Sequence, residues 1–299
     1  MVPITIGVPV YNGADLLDDS LACLARQTFR DFKVLIFDNA STDGTAEIAK
    51  GWATRDARFH YVRQPQNVGG LPNFRDALLA ADTPWFMWRA DDDLSDDDYV
   101  ETLYRLATTS PGCKLAVSSV VNCDTQGEGQ RLWTPSVIVS PGSIGGRLEA
   151  LRNCHPASFY GLWSREAACE AFLPIVEGFP FAYASDHATL YGPIIEGAVR
   201  MTNKTRFFSR FRRPIAPRPR TRIPFAVMVE VRRAFRRQLR RIRSQRDLPA
   251  SLRIALRVTE PLYLQRTLPS LLKMARTGLR ELLGISGPRV IGRHFQRDV

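Results

Sequence analysis

No stretch of the 299 residues reaches the roughly 18 consecutive apolar positions that a membrane-spanning helix requires, so the chain is expected not to cross a bilayer. Cysteine is scarce. The five present (Cys23, Cys113, Cys123, Cys154 and Cys169) are odd in number, widely spaced and free of any C-x-x-C pair, which argues against a disulfide framework and against a zinc site. Met1 leads straight into an apolar run, without the positive region and small-residue cleavage site of a secretory leader, so a reducing, cytoplasmic setting is expected. No internal repeat is visible. With 44% apolar and 24% charged residues, the composition is that of a folded globular protein.

Charge is present in excess and unevenly placed. The formal net charge of +11 divides into about +19 over residues 206–299 and about −8 over residues 1–205. The two parts are expected to meet different partners.

Short apolar runs alternate with amphipathic stretches from the start, the pattern of strands joined by crossover helices. The runs predict strands at Ile4–Val10, Lys33–Asp38, Phe59–Arg63 and Trp85–Arg89, with helices at Ala14–Gln27, Thr42–Thr54 and Leu71–Ala80 between them. Ser95 is placed to cap a helix running to about Thr108, and Leu115–Asn122 and Leu132–Val139 read as further strands. Prolines 214, 217, 219 and 224, interleaved with arginines, predict a linker after residue 212. The expected organisation is an α/β domain over 1–212, with a mostly parallel, Rossmann-like sheet flanked by helices, and a basic, mainly helical extension over 213–299. Helices are predicted there at Phe225–Arg243, Pro249–Val258 and Leu262–Leu283.

Polar clusters fall where the strands end, the place at which loops and helix N-termini of an open α/β sheet converge on a ligand. Pro9-Val10-Tyr11-Asn12 follows the first strand, and Asp38-Asn39-Ala40-Ser41-Thr42-Asp43-Gly44-Thr45 the second. Asn67-Val68-Gly69-Gly70 follows the third and Asp91-Asp92-Asp93 the fourth. Each has a plainer explanation. The Asp38–Thr45 segment can be a helix cap, the glycine pair a turn, and the acidic trio a solvated loop. Yet three adjacent carboxylates just after the apolar Trp85–Trp88 run repel one another unless a cation intervenes. Alternation at a strand end lets Asp91 and Asp93 share a face, and Mg2+ or Mn2+ suits such carboxylates together with phosphate oxygens.

This combination resembles the inverting glycosyltransferases of family 2, whose GT-A fold carries a P-x-Y-N strand end, a D-[DN]-x-S-x-D-G-T loop, an N-x-G turn and an A-D-x-D motif. The resemblance is strong over about residues 3–125, weak over 126–212 and absent from the tail. It implies that Asp38 binds the base of a nucleotide, uracil or another, with Pro9, Tyr11 and Asn12 lining the same pocket. Asn39 stands where many members have a second Asp. By the same resemblance Gly69, Gly70, Asn73 and Arg75 face the nucleotide, Arg75 being either the cation near the diphosphate or a solvated helix arginine. Asp93 is expected to coordinate the metal directly, Asp91 to serve the ribose or the metal shell, and Asp92 to support them.

An acidic helix start in the second half of family members supplies the general base. Ser185-Asp186-His187-Ala188-Thr189-Leu190 has that look, making Asp186 the candidate, with a helix cap as the alternative. The family motif more often reads Glu-Asp, and His187 is a second option for the base. His155–Leu162 resembles the acceptor border, where Tyr160 and Trp163 either stack on sugars or belong to the core.

In the tail, Arg232, Arg233, Arg236, Arg237, Arg240, Arg241 and Arg243 recur at helical spacing beside Phe225, Val229 and Leu239. Such a helix fits an anionic membrane surface, or packing on the enzyme domain or on a second subunit of a homo-oligomer. Nucleic acid is disfavoured: no nucleic-acid module is recognisable, and the acidic half would repel a phosphate backbone.

The expected function is a metal-dependent transferase moving a sugar from a nucleoside diphosphate, UDP first, to a carbohydrate or lipid-linked acceptor in cell-surface polysaccharide or lipopolysaccharide assembly. A nucleotidyltransferase and a non-catalytic nucleotide- or membrane-binding scaffold are the alternatives. The former ordinarily carries a glycine-rich basic loop after its first strand, which Pro9–Asn12 is not.

Overall fold

In a computed structural model, residues 2–135, 141–211 and 223–283 are described. The chain opens with β1 (Ile4–Val10), α1 (Leu17–Ala25), β2 (Phe32–Asp38), α2 (Thr45–Arg55), β3 (Phe59–Arg63), α3 (Gly70–Leu79) and β4 (Trp85–Trp88). These strands pair in parallel in the order β3-β2-β1-β4. β1 is buried along its whole length, as expected of a central strand covered by helices on both faces. The continuous apolar runs therefore set the strand boundaries almost to the residue.

The sheet continues through strands of mixed direction. β5 (Leu94–Ser95), α4 (Tyr99–Thr109), β6 (Leu115–Asp124) and β7 (Arg131–Trp133) come next. They are followed by α5 (Ile144–Asn153), a 3-10 turn at Pro156–Tyr160, β8 (Leu162–Ser164), α6 (Arg165–Gly178), α7 (Ser185–Glu196) and β9 (Val199–Phe211). Strand β8 joins β4 to β6, β9 lies parallel to β6, and β5 pairs with β9 through Leu94–Phe208 and Ser95–Phe207. The expected strand Leu132–Val139 appears only as β7; residues 136–139 lie outside the described residues, as do prolines 214, 217 and 219 of the expected linker.

Ser95 does not cap α4. Its residue ends β5, and its buried hydroxyl accepts from Gln27 Nε2 at 3.3 Å and Arg89 Nη2 at 2.9 Å. Helix α4 starts four residues later. Asp96 and Asp98, in the segment between, bind β9: Asp96 pairs with Arg206 at 2.9 Å, and Asp98 accepts from Thr205 Oγ1 at 2.8 Å.

Two cores lie against the sheet. One gathers Ile4, Ile6, Val34, Met87 and Leu103 beneath α1, α2 and α4. The other gathers Phe86, Trp88, Trp163, Phe172 and Ile194, and runs on into α8 (Phe225–Ser244) and α9 (Ala250–Thr267). Helix α8 sends Val231, Phe235, Leu239 and Ile242 into this core at helical spacing, so its apolar face meets protein and not solvent. Glu260 of α9, only 5% exposed at its side chain, bridges Arg236 and Arg243 of α8 at 2.6 Å each.

The tail breaks at a different place from the one expected. α9 runs through Pro261, and the interruption before α10 (Leu271–Leu282) falls at 268–270. Tertiary anchors on both sides of Pro261, Glu260 and buried Tyr263, hold the turn that proline alone would weaken. Among the described residues no helix is long and apolar enough to cross a membrane.

Candidate active site

The loops after β1 and β2 are sewn to each other at the carboxyl edge of the sheet. Asn12 donates its backbone N–H to Ser41 Oγ at 2.9 Å and accepts from the Thr42 N–H at 2.8 Å. The Gly13 N–H donates to Thr45 Oγ1 at 3.0 Å, and the Ala14 N–H to Asp43 Oδ2 at 3.1 Å. Asp43 Oδ1 also accepts the Thr45 N–H at 3.0 Å, so this carboxylate joins the first residue of α2 to β1's loop. Its carboxyl is lowered: burial pushes it up, and the hydrogen bonds from Thr45 and Ala14 outweigh that.

Asp38 is fully buried at the end of β2. Its carboxylate accepts from the Ser41 N–H at 2.8 Å, the Tyr61 hydroxyl at 2.7 Å and Arg63 Nη1 at 2.6 Å. Burial pushes its pKa up, but these hydrogen bonds and the Arg63 charge bring it below the usual carboxylate value. Three protein donors occupy the group expected to read the base. Of the neighbours expected beside it, Pro9 is buried within β1 opposite Phe37, whereas Tyr11 is exposed at the strand end.

Asn39 has a role that a carboxylate could not fill. Its Nδ2 donates to Asn67 Oδ1 at 2.9 Å and to the Gly69 carbonyl at 3.1 Å, while its Oδ1 accepts from the Val68 N–H at 2.9 Å. The side chain staples the 67–69 turn onto the end of β2. Gly69 has φ +91°, a conformation that suits glycine, and Gly70 begins α3. Asn73 and Arg75 do not join these loops. Asn73 is buried and donates to the Phe37 carbonyl at 2.9 Å, pinning α3 to β2; Arg75 pairs with Asp76 at 2.8 Å.

The acidic loop is clamped from two sides. A Cβ at Gly13 would lie 2.2 Å from Asp91 Oδ2, so only glycine lets that carboxylate rest against the β1 loop. On the other side, Asp93 accepts the Arg210 N–H of β9 at 2.8 Å, and the Asp92 carbonyl accepts from the Arg210 guanidinium. Beneath lies Arg89, fully buried between Tyr99 and Phe207, with its Nε and Nη1 lacking hydrogen-bond partners among the described residues.

The repulsion read from three adjacent carboxylates is therefore met partly by two arginines, neither of which the motif revealed. It is not met fully. Burial, then the Asp92 charge, raise Asp93 to about 8, against the Arg210 hydrogen bond and the Arg89 and Arg210 charges. No group of three or more His, Cys, Asp or Glu forms a metal cage among the described residues. An ion here would need phosphate oxygens and water to fill its shell, as Mg2+ and Mn2+ accept.

Asp186 sits in the first turn of α7 beside a cavity of about 680 Å3 that is also bordered by Gly70, Phe74, Tyr160, Tyr183 and Thr267. Its Oδ1 accepts the His187 N–H at 2.6 Å. The preceding Ala184 adopts φ +65°. Asn12, Ala40 and Ala184 are the non-glycine residues with positive φ among those described, and all three lie in these loops, a concentration of strain expected of a functional site.

Tyr160 links the two halves. It stacks on Phe207 with centroids 5.3 Å apart, and its hydroxyl is pushed well above 10 by burial and by the charges of Asp93, Asp92, Asp186 and Asp91. Trp163 is wholly buried, its indole donating to the Phe159 carbonyl at 2.8 Å, so it belongs to the core. His187 is kept neutral by burial, against the pull of Asp186. The tail braces this side: the Tyr263 hydroxyl donates to the His187 carbonyl at 3.1 Å, and Tyr183's to the Thr267 carbonyl at 3.3 Å.

Known proteins resemble this arrangement in sequence and in fold. GlyA, a glycosyltransferase of Streptococcus pneumoniae serotype 4, is 32% identical over 102 residues, 34% of this chain and 14% of GlyA. The uncharacterized glycosyltransferase EpsJ of Bacillus subtilis is 31% identical over 103 residues, 34% of this chain and 28% of EpsJ. The matches thus span under a third of either relative. S. aureus TarS 1–349 in complex with UDP-GlcNAc superposes with a TM-score of 0.58 at 14% identity, covering 79% of this chain and 66% of TarS 1–349. The mannosyltransferase PcManGT of Pyrobaculum calidifontis, in complex with GDP-Man and Mn2+, gives 0.53 at 16% identity, covering 96% and 81%. These likenesses establish a GT-A fold. The family model described as glycosyl transferase family 2 matches residues 5–163, from β1 into β8 and over more than half of the sequence, and to that family the chain belongs.

Proposed function

We propose that the protein is an inverting glycosyltransferase that takes a sugar from a nucleoside diphosphate, with UDP as the leading donor, and passes it to a carbohydrate or lipid-linked acceptor in cell-surface polysaccharide assembly. One observation carries the reading. Tyr160 borders the Asp186 cavity, and its hydroxyl feels the charges of Asp91, Asp92 and Asp93 of the loop held between Gly13 and Arg210 as well as that of Asp186, which supports a donor end and an acceptor end close to one side chain.

Asp91 and Asp93 would hold a divalent ion, Mn2+ or Mg2+, which when bound supplies Lewis-acid stabilisation of the departing diphosphate. The strapped loops at Asn12, Asp38–Thr45 and Asn67–Gly70 orient the nucleotide at the carboxyl edge of the sheet. Asp186 takes the proton of the acceptor hydroxyl as that oxygen bonds to the anomeric carbon and the carbon–phosphate oxygen bond breaks. A positioned base of this kind contributes about 10²- to 10⁴-fold. Tyr183 and Tyr263, through their bonds to the 267 and 187 carbonyls, keep the Asp186 turn in place.

The test is a screen of purified protein against nucleotide sugars with and without Mn2+, read as thermal stabilisation and as nucleotide release. Stabilisation by at least one nucleoside diphosphate or its sugar supports the reading. Failure of every nucleotide under both conditions overturns it.

A further inference from the structure

Helix α9 buries Leu252, Leu256, Tyr263 and Leu264 yet carries a second, exposed apolar row, and α10 leaves most of its leucines in solvent, against the rule that a helix of a soluble protein turns its apolar side inward. On α9, Ile254, Val258 and Leu262 follow one another at i, i+4 and i+8 and are 61%, 71% and 70% exposed. On α10, Leu272, Leu279 and Leu282 are 61%, 58% and 86% exposed, and only Met274 is buried. Helix α10 rests on the body by another side, with Gly278 against the Phe225 ring and Glu281 accepting the Phe225 N–H at 3.2 Å.

Cations flank both apolar rows. Arg253 and Arg257 on α9 and Lys273, Arg276 and Arg280 on α10 are exposed, whereas Arg266 donates to the Leu151 and Cys154 carbonyls at 3.2 and 3.1 Å. The two acids of these helices are turned away: Glu260 is buried between Arg236 and Arg243, and Glu281 is half-buried against Phe225. Arg253 and Arg257 also line a cavity of about 770 Å3 with Arg240 and Arg246. A second copy of the chain placed on this surface would oppose cation to cation. A layer of anionic phospholipid complements both features, taking leucines at the acyl boundary and guanidinium groups at the phosphates.

We propose that the exposed faces of α9 and α10 dock the protein on an anionic membrane surface. The basic helix α8, whose arginines first suggested such contact, serves instead as the platform between these helices and the core. Docking also bears on the acceptor. Thr267, at the end of α9, borders the Asp186 cavity, and α10 begins four residues later, so the bound face lies next to that cavity. This consequence for a lipid-linked acceptor rests on the function proposed above, whereas the docking itself does not.

The experiment is flotation of the full chain with phosphatidylcholine vesicles, with and without phosphatidylglycerol. Co-flotation is expected with the anionic vesicles, weakened at least tenfold with neutral ones and by raised salt. Replacing Lys273, Arg276 and Arg280 with Gln should weaken binding roughly 100-fold, at about fivefold per cation. The triple variant L272Q/L279Q/L282Q and the α9 variant V258Q/L262Q should each lose at least tenfold while keeping the wild-type thermal unfolding midpoint, since all five side chains lie in solvent. Absence of flotation with anionic vesicles at low salt, or leucine variants that float like the wild type, overturns the proposal. So does a dimer in light scattering that the leucine variants abolish, which would assign the face to a second copy.

Discussion

Replacing Asn39 with Asp changes one atom type and should disable the 67–69 turn at the end of β2. Asn39 is 2% exposed, and its amide donates to Asn67 Oδ1 and the Gly69 carbonyl while accepting from Val68. A carboxylate keeps the Val68 bond and converts both donated bonds, at 2.9 and 3.1 Å, into contacts between oxygen acceptors. Each lost bond costs about 1 kcal/mol net, and a buried acceptor left unsatisfied costs about 1–3 kcal/mol. Opening of the 67–69 turn to water relieves part of this, leaving roughly 2–4 kcal/mol. For a domain of this size that lowers the unfolding midpoint by roughly 5–12 °C.

Alanine at the same position provides the decisive comparison. It removes all three hydrogen bonds but introduces no charge, so Asn39→Asp should be at least as destabilised as Asn39→Ala although it retains one bond more. Calorimetry measures both, and titration with nucleoside diphosphate should show weakened binding in each. An Asn39→Asp midpoint within about 2 °C of the wild type, with unchanged nucleotide affinity, would refute the reasoning.

Two further outcomes follow from the acidic loop. Asp93 has its folded pKa raised from 3.8 to about 8, so metal-free stability is greatest below the unfolded value and is lost as pH rises towards 8. A proton then competes with Mn2+ below that pH. Affinity measured by thermal shift should fall by about fivefold from pH 8 to pH 7, and a flat profile would contradict the assignment. Gly13→Ala drives a methyl group into Asp91 Oδ2 and into Val10 Cγ2, with the bare Cβ at 2.2 and 2.7 Å. It should reduce metal-supported turnover on the order of 100-fold, as misplacement of a reacting group by about 1 Å does. Wild-type turnover in that variant would show that Asp91 has no fixed role.

The strand ends could be read because they are local. Ile4–Val10 and Phe59–Arg63 are apolar runs with polar ends, and in a sheet covered on both faces such runs coincide with the strands. Asp91–Asp93 stood out for the same reason, as charge placed directly after an apolar run. The partners of those residues are distant in sequence. Nothing near Asp93 announces that the Arg210 N–H will bind it, and no periodicity predicts that Ser95 pairs with Phe207 in place of capping a helix. Gly13 was within reach of sequence reasoning, since Asn12-Gly13 is a turn signal at a strand end.

The motif also concealed which residues face inward. Asn73 and Asp38 look available in a ligand-facing pattern, yet the structure gives both protein partners. In the tail, the density of arginine on α8 drew attention from the leucines of α10, whose exposure depends on how that helix sits on Phe225. Amphipathic spacing shows that a helix has two sides. Which side meets the protein is settled only by packing.

The division between a donor end at Asp91–Asp93 and an acceptor base at Asp186 is tested most directly with Asp186→Asn. Asparagine keeps the shape and can still accept the His187 N–H, but it cannot take a proton. The measurement pairs calorimetric titration of nucleoside diphosphate with Mn2+ against sugar transfer by the same preparation. The account predicts a dissociation constant within about twofold of the wild type and turnover lowered about 10²- to 10⁴-fold. Turnover within about threefold of the wild type, or nucleotide affinity lost in proportion to turnover, would contradict it.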